Sequence, residues 1–355
     1  MLQTGLTKLL RVQHPILLAP MAGGPTTPEL VVAVSEAGGF GTLAGAALAL
    51  NDLEQAIAAV QAATDAPFGV NFQLVEPGVG GDVEAVQEAI DPFRVELGLP
   101  PGPRELEVVE VSVDDQVELC VARGVPVLTF ALGDPSRFVG QRALVGSMVT
   151  TVEEAAHVEA AGTDFVIAQG AEAGGHRSTF DVSGDVPLVG TMALVPQVVD
   201  AVNVPVVATG GIVDGRGVAA ALALGAAGAQ LGTRFLLARE AATAPAYREA
   251  LLRAVETDTV VTTSYTGRPA RSIRNRFFAE LAGTEPLPWP RQRAAASDLY
   301  RAALERGASD LHPLLAGQGL RGLRDGQPAA EIVEEIAEQA EALLRALASP
   351  SSPSS

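Results

Sequence analysis

Histidine is scarce in this chain, with four in 355 residues, and one of them follows two glycines and precedes an arginine in "QGAEAGGHRSTFD", residues 169 to 181. Glycines 174 and 175 let a backbone pass close to a flat ring, so that His176 faces the substrate side of that ring. An imidazole of ordinary pKa, near neutrality, suits removal of a proton from a weak carbon acid or the holding of an anion. Arg177 either adds positive potential there or serves the fold. Asn71 ends the apolar run "FGVN" and Gln169 ends "DFVIAQ", and each carboxamide is both donor and acceptor for the edge of a heteroaromatic ring. Two further loops, "ATGGIVDGRG" and "QLGTRF", put Gly210 and Gly211 opposite Gly232 and Thr233. Either pair alone is also a plain turn from strand to helix, but together they make a cradle of backbone N–H groups for a phosphate. The combination points to a ligand with both a polar ring and a phosphate.

Composition removes several other chemistries. Lys8 is the single lysine and precedes the first apolar run, so Schiff-base catalysis has almost no candidate. Histidines 14, 157, 176 and 312 have no zinc-binding spacing, and no metal site is expected. Cys120, the one cysteine, sits in the apolar run "VELCVARGV" and reads as a buried residue, with neither a disulfide nor a thiolate cluster available. Aromatic residues make up 4% with Trp289 the single tryptophan, so the stacking platforms of carbohydrate sites are scarce. A net charge of −18 argues against nucleic acid and against an anionic membrane as partners. The N-terminal apolar run is broken by Pro15 and Pro20, so neither a signal nor a membrane span is expected, and the reading is a cytoplasmic enzyme.

The elements that must position these residues recur in form. A helical segment ends near a glycine and is followed by a short run of Val, Leu, Ile and Ala. Eight such runs occur, in "HPILLAP", "GFGTLAG", "APFGVNF", "GVPVLTFALG", "RALVGSMVT", "TDFVIAQG", "VPVVATGG" and "GAQLGTRF". Strands apolar on both faces and alternating with helices imply a parallel sheet covered by helices, and eight of them suggest a (β/α)8 barrel. The open doubly wound alternative lacks its G-x-G-x-x-G fingerprint near the N-terminus. In a barrel the loops at the C-terminal strand ends carry the site, which is where the residues above fall. Segments 1–74, 106–238 and 325–348 are assigned to the barrel. Segment 75–105, an insertion around a short helix, and segment 239–324, arginine-rich and irregular, are assigned to a smaller, mainly helical cap. Ile332, Val333, Ile336, Ala340, Leu343 and Leu347 form one stripe of a helix that should pack onto the barrel. The tail 349–355 is low-complexity and expected to be disordered.

At this point the motifs carry a resemblance. "LAPMAGG", "GVNF", "QGAEAGGHR", "PVVATGGIVDGRG", "GAQLGTRF" and "AGQGLRGL" resemble the nitronate monooxygenases, formerly called 2-nitropropane dioxygenases, from about residue 15 to about residue 340. The resemblance implies an FMN-dependent barrel enzyme that oxidises alkyl nitronates with O2 to a carbonyl compound and nitrite, without reduction of the flavin by a nicotinamide. Propionate 3-nitronate is the substrate it implies, and detoxification the role. By the same resemblance Asn71, Gln169, Gly174, Gly211, Gln230, Leu231, Gly232 and Thr233 bind FMN. Pro20 and Met21 line the flavin with backbone atoms, and His176 is the catalytic residue.

Two departures bear on the substrate side of the pocket: Ser178 stands where the family pattern has glycine, and the loop after the fourth strand reads "TFALGDP" in place of "SFxFG". In the cap, Tyr265, Tyr300 and His312 are candidates to reach the substrate. An alternative on the same barrel is an FMN-dependent NAD(P)H oxidoreductase of the enoyl-acyl-carrier-protein reductase or quinone reductase type. Arg177 and "LLAGQGLRGL" weigh against it. A barrel that binds its ligand without catalysis also stays open, because fold does not fix function, as does a homo-oligomer.

Overall fold

The computed structural model describes residues 2–46, 48–108 and 111–348, so the tail expected to be disordered lies outside the described residues. In chain order the first nine strands are β1 (Ile16–Leu18), β2 (Gly41–Ala44), β3 (Phe68–Gln73), β4 (Val127–Ala131), β5 (Leu144–Val149), β6 (Phe165–Gln169), the two-residue β7 (Gly175–His176), β8 (Val206–Thr209) and β9 (Gly228–Leu231). The helices that alternate with them are α1 (Gly5–Leu10), α2 (Pro28–Glu36), α3 (Leu50–Ala63), α4 (Val83–Glu96), α5 (Val113–Ala122), α6 (Val152–Ala161), α7 (Thr191–Ala201) and α8 (Gly215–Ala223).

All of these strands except β7 form one eight-stranded parallel sheet in the order β1-β9-β8-β6-β5-β4-β3-β2. A parallel bridge between Leu17 and Phe40 joins β1 back to the β2 edge, which closes the barrel. Each of the eight apolar runs is thus a barrel strand. The runs are apolar on both faces because both faces are covered. Leu17, Val127, Phe165, Ile167 and Val207 fill the barrel, and Leu18, Val70, Leu128, Val166 and Ala208 pack in the layer between sheet and helices.

Helix ends follow local chemistry. Thr151 and Glu154 form a reciprocal capping box at the start of α6, and Gly162 ends that helix in a left-handed conformation at φ 102°. A left-handed glycine likewise follows α2, α5 and α8, at Gly38, Gly124 and Gly225, whereas α3 and α7 end at Thr64 and Val202 in extended conformation.

The short helix α1 had no counterpart in the sequence reading. Its Leu6 and Leu10 pack with Leu17, Phe40, Val127 and Val207. Thr4 Oγ1 donates to Ala227 O at 2.6 Å, just before β9 begins. A Cβ at Gly228 would lie 2.6 Å from Leu6 Cδ2. The helix therefore plugs the end of the barrel where the strands start, and Lys8 lies on its exposed side. Six residues are too short a window for a periodic signal.

Residues 239–324, read as irregular, contain α9 (Pro245–Arg253), the hairpin of β10 (Thr259–Thr262) and β11 (Ala270–Ile273), α10 (Arg276–Glu280) and α11 (Arg291–Glu305). Their apolar residues escaped the pattern because they serve a separate small core. Tyr265, Phe277, Leu299, Tyr300 and Leu311 pack there with Val86, Ile90 and Phe93 of α4. That helix is fourteen residues long rather than short. Arg94, fully buried, fastens it to α11 by donating to Asp298 Oδ2 at 2.5 Å and Ala295 O at 2.6 Å.

The last helix, α12 (Ala329–Ala348), packs on α8 and α2 through Ile332, Val333, Ile336 and Ala340, with Leu343 partly buried. Leu347, assigned to the same stripe, is 74% exposed, because the helix runs past the barrel wall before its last turn. No described helix is long and apolar enough to cross a membrane.

Candidate active site

A cavity of about 630 Å³ opens at the C-terminal ends of the barrel strands, beneath the helices of the second core. Pro20, Met21, Asn71, Gln169, Gly174, His176, Gly211, Gln230 and Gly232 line it. Strand ends and loops of seven of the eight barrel strands, all but β2, converge here because parallel strands deliver their C-termini to one rim. Leu231 and Thr233 do not line the cavity. The Leu231 side chain packs in the layer outside the sheet while its carbonyl accepts from Ala19 N at 2.9 Å. The Thr233 hydroxyl accepts from Gly317 N at 3.0 Å.

His176 reaches the mouth on β7, which pairs with β11 so that His176 stands opposite Ala270. The loop after barrel strand β6 is thereby stitched to the hairpin of the second core. A Cβ at Gly174 would lie 2.5 Å from Gly317 N and 2.6 Å from Ala316 C, so this glycine lets the "AGQGL" segment lie against the loop. Gly175 turns the chain at φ 80°, and the space its Cβ would occupy is open. Gly174 thus has a reason within the chain itself, the docking of residues 316–317, and Gly175 has one in its positive φ; the sequence reading foresaw neither.

The His176 Nε2 lies 2.9 Å from Thr266 Oγ1, and that hydroxyl donates to Arg268 O at 3.2 Å. With the hydroxyl proton directed to Arg268 O, Nε2 is the donor and Nδ1 keeps the lone pair in that tautomer. The ring meets Trp289 edge-on, with centroids 5.2 Å apart. Burial, then the guanidinium groups of Arg268 and Arg293, push the His176 pKa from 6.5 down to about 3. This corrects the expectation of an ordinary imidazole: the ring is neutral throughout the physiological range.

Gln169 is engaged in holding the loop. Its Nε2 donates to His176 O and its Oε1 accepts from Ser178 N, both at 2.9 Å. Asn71 donates to Thr129 Oγ1 at 3.0 Å, and its side-chain oxygen has no partner among the described residues. Gln230 is 2% exposed, and its Oε1 is buried without a hydrogen bond. An orphaned acceptor in a cavity wall is an opening for a ligand N–H.

Arg177 is turned away from the cavity. It is fully buried and donates to the carbonyl oxygens of Gly170, Gln169 and Pro187 at 2.7, 3.0 and 3.3 Å. Its charge holds the base of the loop together. Of the three cap candidates, Tyr300 and His312 line the cavity. Tyr265 does not; it is fully buried and donates to Asn275 Oδ1 at 2.6 Å. His312 Nδ1 lies 3.0 Å from Tyr300 O, and burial lowers its pKa to about 4.

Sequence reasoning missed Thr266, Trp289 and Arg293, which also line the cavity. None lies in a glycine-rich or strand-end motif; the one available signal was the rarity of tryptophan. Among the described residues no cluster of three or more His, Cys, Asp or Glu is placed to hold a metal.

Known proteins share the sequence and the fold. The family described as nitronate monooxygenase matches residues 3–339. A probable nitronate monooxygenase of Staphylococcus saprophyticus is 39% identical, over 97% of this chain and 99% of that protein. Among solved structures, nitroalkane oxidase from Streptomyces ansochromogenes is similar with a TM-score of 0.89 and 37% identity, covering 97% of this chain and 99% of its own. FabK from Thermotoga maritima is similar with a TM-score of 0.78 and 34% identity, covering 98% and 99%.

Proposed function

Because the chain belongs to the nitronate monooxygenase family, and is an oxidoreductase of that family, we propose that it oxidises alkyl nitronates, propionate 3-nitronate among them, with O2 to a carbonyl compound and nitrite. The observation that carries the reading is the cavity in which a neutral His176 and the orphaned Gln230 carbonyl share one wall system with an acceptor on Asn71. A toxic substrate and a detoxifying role are part of the same proposal.

The residues fit FMN. Gln230 and Asn71 offer free polar atoms for the edge of a flavin ring, Gln169 stands beside them, and the Pro20–Met21 backbone lies along the wall. Gly174 and Gly211, with the turn Leu231–Gly232–Thr233, complete the set proposed to hold ring and phosphate, Leu231 through its backbone. Bound there, FMN supplies the electron acceptor for the nitronate. The protein's own work is positional and protonic. Nδ1 of His176 can take the α-proton of a neutral nitroalkane, but the resulting imidazolium stands against Arg268 and Arg293 and is favourable only while the nitronate anion stays beside it. With preformed nitronate no proton need move, and the cap walls, Trp289 and Tyr300 among them, shield the reacting atoms from water. The barrel segments supply the cofactor side of this site and segments 75–105 and 239–324 its cover.

The test is O2 uptake and nitrite release with propionate 3-nitronate, alongside the identity of the cofactor released on denaturation. Nitrite formed in step with O2 uptake, FMN in the supernatant and no oxidation of NADH or NADPH are expected. The likeness to FabK supports a second reading, an NAD(P)H-dependent reductase. Nicotinamide oxidation without nitrite from any nitronate would establish that reading instead.

A further inference from the structure

We propose that Arg293 is the receptor for the substrate's anionic group, a planar XO2− that is either the nitronate itself or a carboxylate carried on the same molecule. The inference deepens the proposed function and rests on it for the identity of the substrate, though not for the chemistry of the receptor.

Arg293 lies in the first turn of α11 and lines the cavity, half-buried. The other arginines buried around the site are anchored to the fold by carbonyl or hydroxyl acceptors, although Nε of Arg177 and of Arg268 has no partner among the described residues. Arg268 donates to Leu132 O and Thr179 O, Arg271 to Ala171 O and Thr259 Oγ1, and Arg177 to three carbonyl oxygens. Arg293 has neither a hydrogen bond nor an ion pair among the described residues. Burial alone lowers its pKa, so its charge is partly desolvated without gaining a counter-ion. A charge in that position is costly until something pairs with it, and a fork of N–H donors matches a planar two-oxygen anion in bidentate fashion.

Arg301 lines the same cavity and is likewise unpaired among the described residues, but it is exposed where Arg293 is half-buried, and the remaining neighbours are less suited to the role. His176 is neutral, so it offers an anion at most one ring N–H and no counter-charge. Arg268, which acts on the same imidazole, has one terminal nitrogen tied to two carbonyls. Glu305 lines the same cavity from the same helix but makes no ion pair with Arg293 among the described residues. Trp289, four residues earlier, meets His176 edge-on, and Arg293 is near enough to the same imidazole to lower its pKa. A neutral nitroalkane gains little from this arrangement, whereas its nitronate gains a counter-ion.

The experiment uses the protein as purified with its cofactor. Butyrate, a stable planar carboxylate, is titrated calorimetrically into the wild type, R293K and R293M. Loss of affinity of about tenfold to a hundredfold in R293M, with much of it recovered in R293K, is expected for a charged hydrogen-bonded pair. Equal butyrate affinity in wild type and R293M overturns the proposal whether or not nitronates are turned over. Absence of nitronate turnover in the wild type with the butyrate difference intact overturns the proposed function alone. A kinetic comparison then separates the two sources of the anion. If R293M raises KM for both propyl 1-nitronate and propionate 3-nitronate, the receptor holds the nitronate; if it raises KM for propionate 3-nitronate only, it holds the carboxylate.

Discussion

The backbone N–H of Leu132 donates to the Oγ of Ser178 at 2.9 Å, so the two places where this chain departs from the family pattern are bonded to each other. Leu132 stands in a left-handed conformation at φ 70°, one that costs a non-glycine residue about 1 kcal/mol. Ser178 in turn donates to Met148 O at 3.1 Å, and both Leu132 and Met148 line the cavity. The serine hydroxyl therefore ties the ends of two barrel strands under the histidine loop.

Replacing Ser178 by alanine removes that tie and strands a buried N–H. The expected loss is about 1–3 kcal/mol in urea unfolding, together with a raised KM as the Leu132 wall loosens. Unchanged stability in S178A would show that the strained Leu132 is held by its packing alone.

The pH behaviour follows from the His176 imidazole. Its pKa in the folded protein is depressed from 6.5 to about 3, so between these values the unfolded chain binds a proton that the native one does not. Stability from this source is complete above about pH 6.5 and is lost progressively as the pH falls toward 3. H176Q should flatten that part of the acid unfolding curve. In catalysis, kcat/KM for a preformed nitronate should show no inflection near pH 6.5 that H176Q abolishes. A rate profile from pH 5 to pH 9 decides the matter.

Gln230 makes opposite predictions for the two forms of the protein. Without ligand, its buried carbonyl oxygen is unpaired, so Q230L removes a penalty of about 1–3 kcal/mol and should raise the melting temperature of the cofactor-free protein. With cofactor the same change removes an acceptor and should lower flavin occupancy. Melting curves of both forms, read beside the flavin content, test the assignment. A cofactor-bound protein stabilised by Q230L would place the ring edge elsewhere.

Gly174 and Gly175 should differ in how they fail. An alanine at Gly174 meets the Ala316–Gly317 backbone at 2.5–2.6 Å, which has no side chain to swing aside. At Gly175 it meets open space but must adopt φ 80°, a cost of about 1–2 kcal/mol. G174A should displace residues 316–317 and expose that segment to hydrogen exchange, while G175A lowers stability with exchange there unchanged. Equal protection of residues 316–317 in both variants would argue against the docking role.

The barrel was readable because its strands are apolar on both faces and most of its helices stop at a glycine such as Gly162, features that depend on short stretches of chain. The candidate site was readable where it is built from the same stretches, at Asn71, Gln169, His176 and Gln230. Illegible were the relations between distant segments. The depressed pKa of His176 comes first from burial and then from Arg268 and Arg293, about a hundred residues away in sequence, and nothing in "AGGHR" announces either. Arg177 misled for the same reason: adjacency in sequence placed it beside the histidine, but alternation of side chains turned it into the loop base. The α11 face, with Trp289 just before it, is polar and aromatic by turns because it lines a cavity, so it carries no ordinary amphipathic signal.

The single lysine side chain projects from the helix that plugs the strand-start end of the barrel, while the cavity opens at the opposite rim. A surface that couples to side-chain amines therefore has one handle on this protein, at its far pole. Enzyme attached through Lys8 would stand upright on an electrode or bead with its mouth toward the solution, and coupling yield would not be bought with blocked sites.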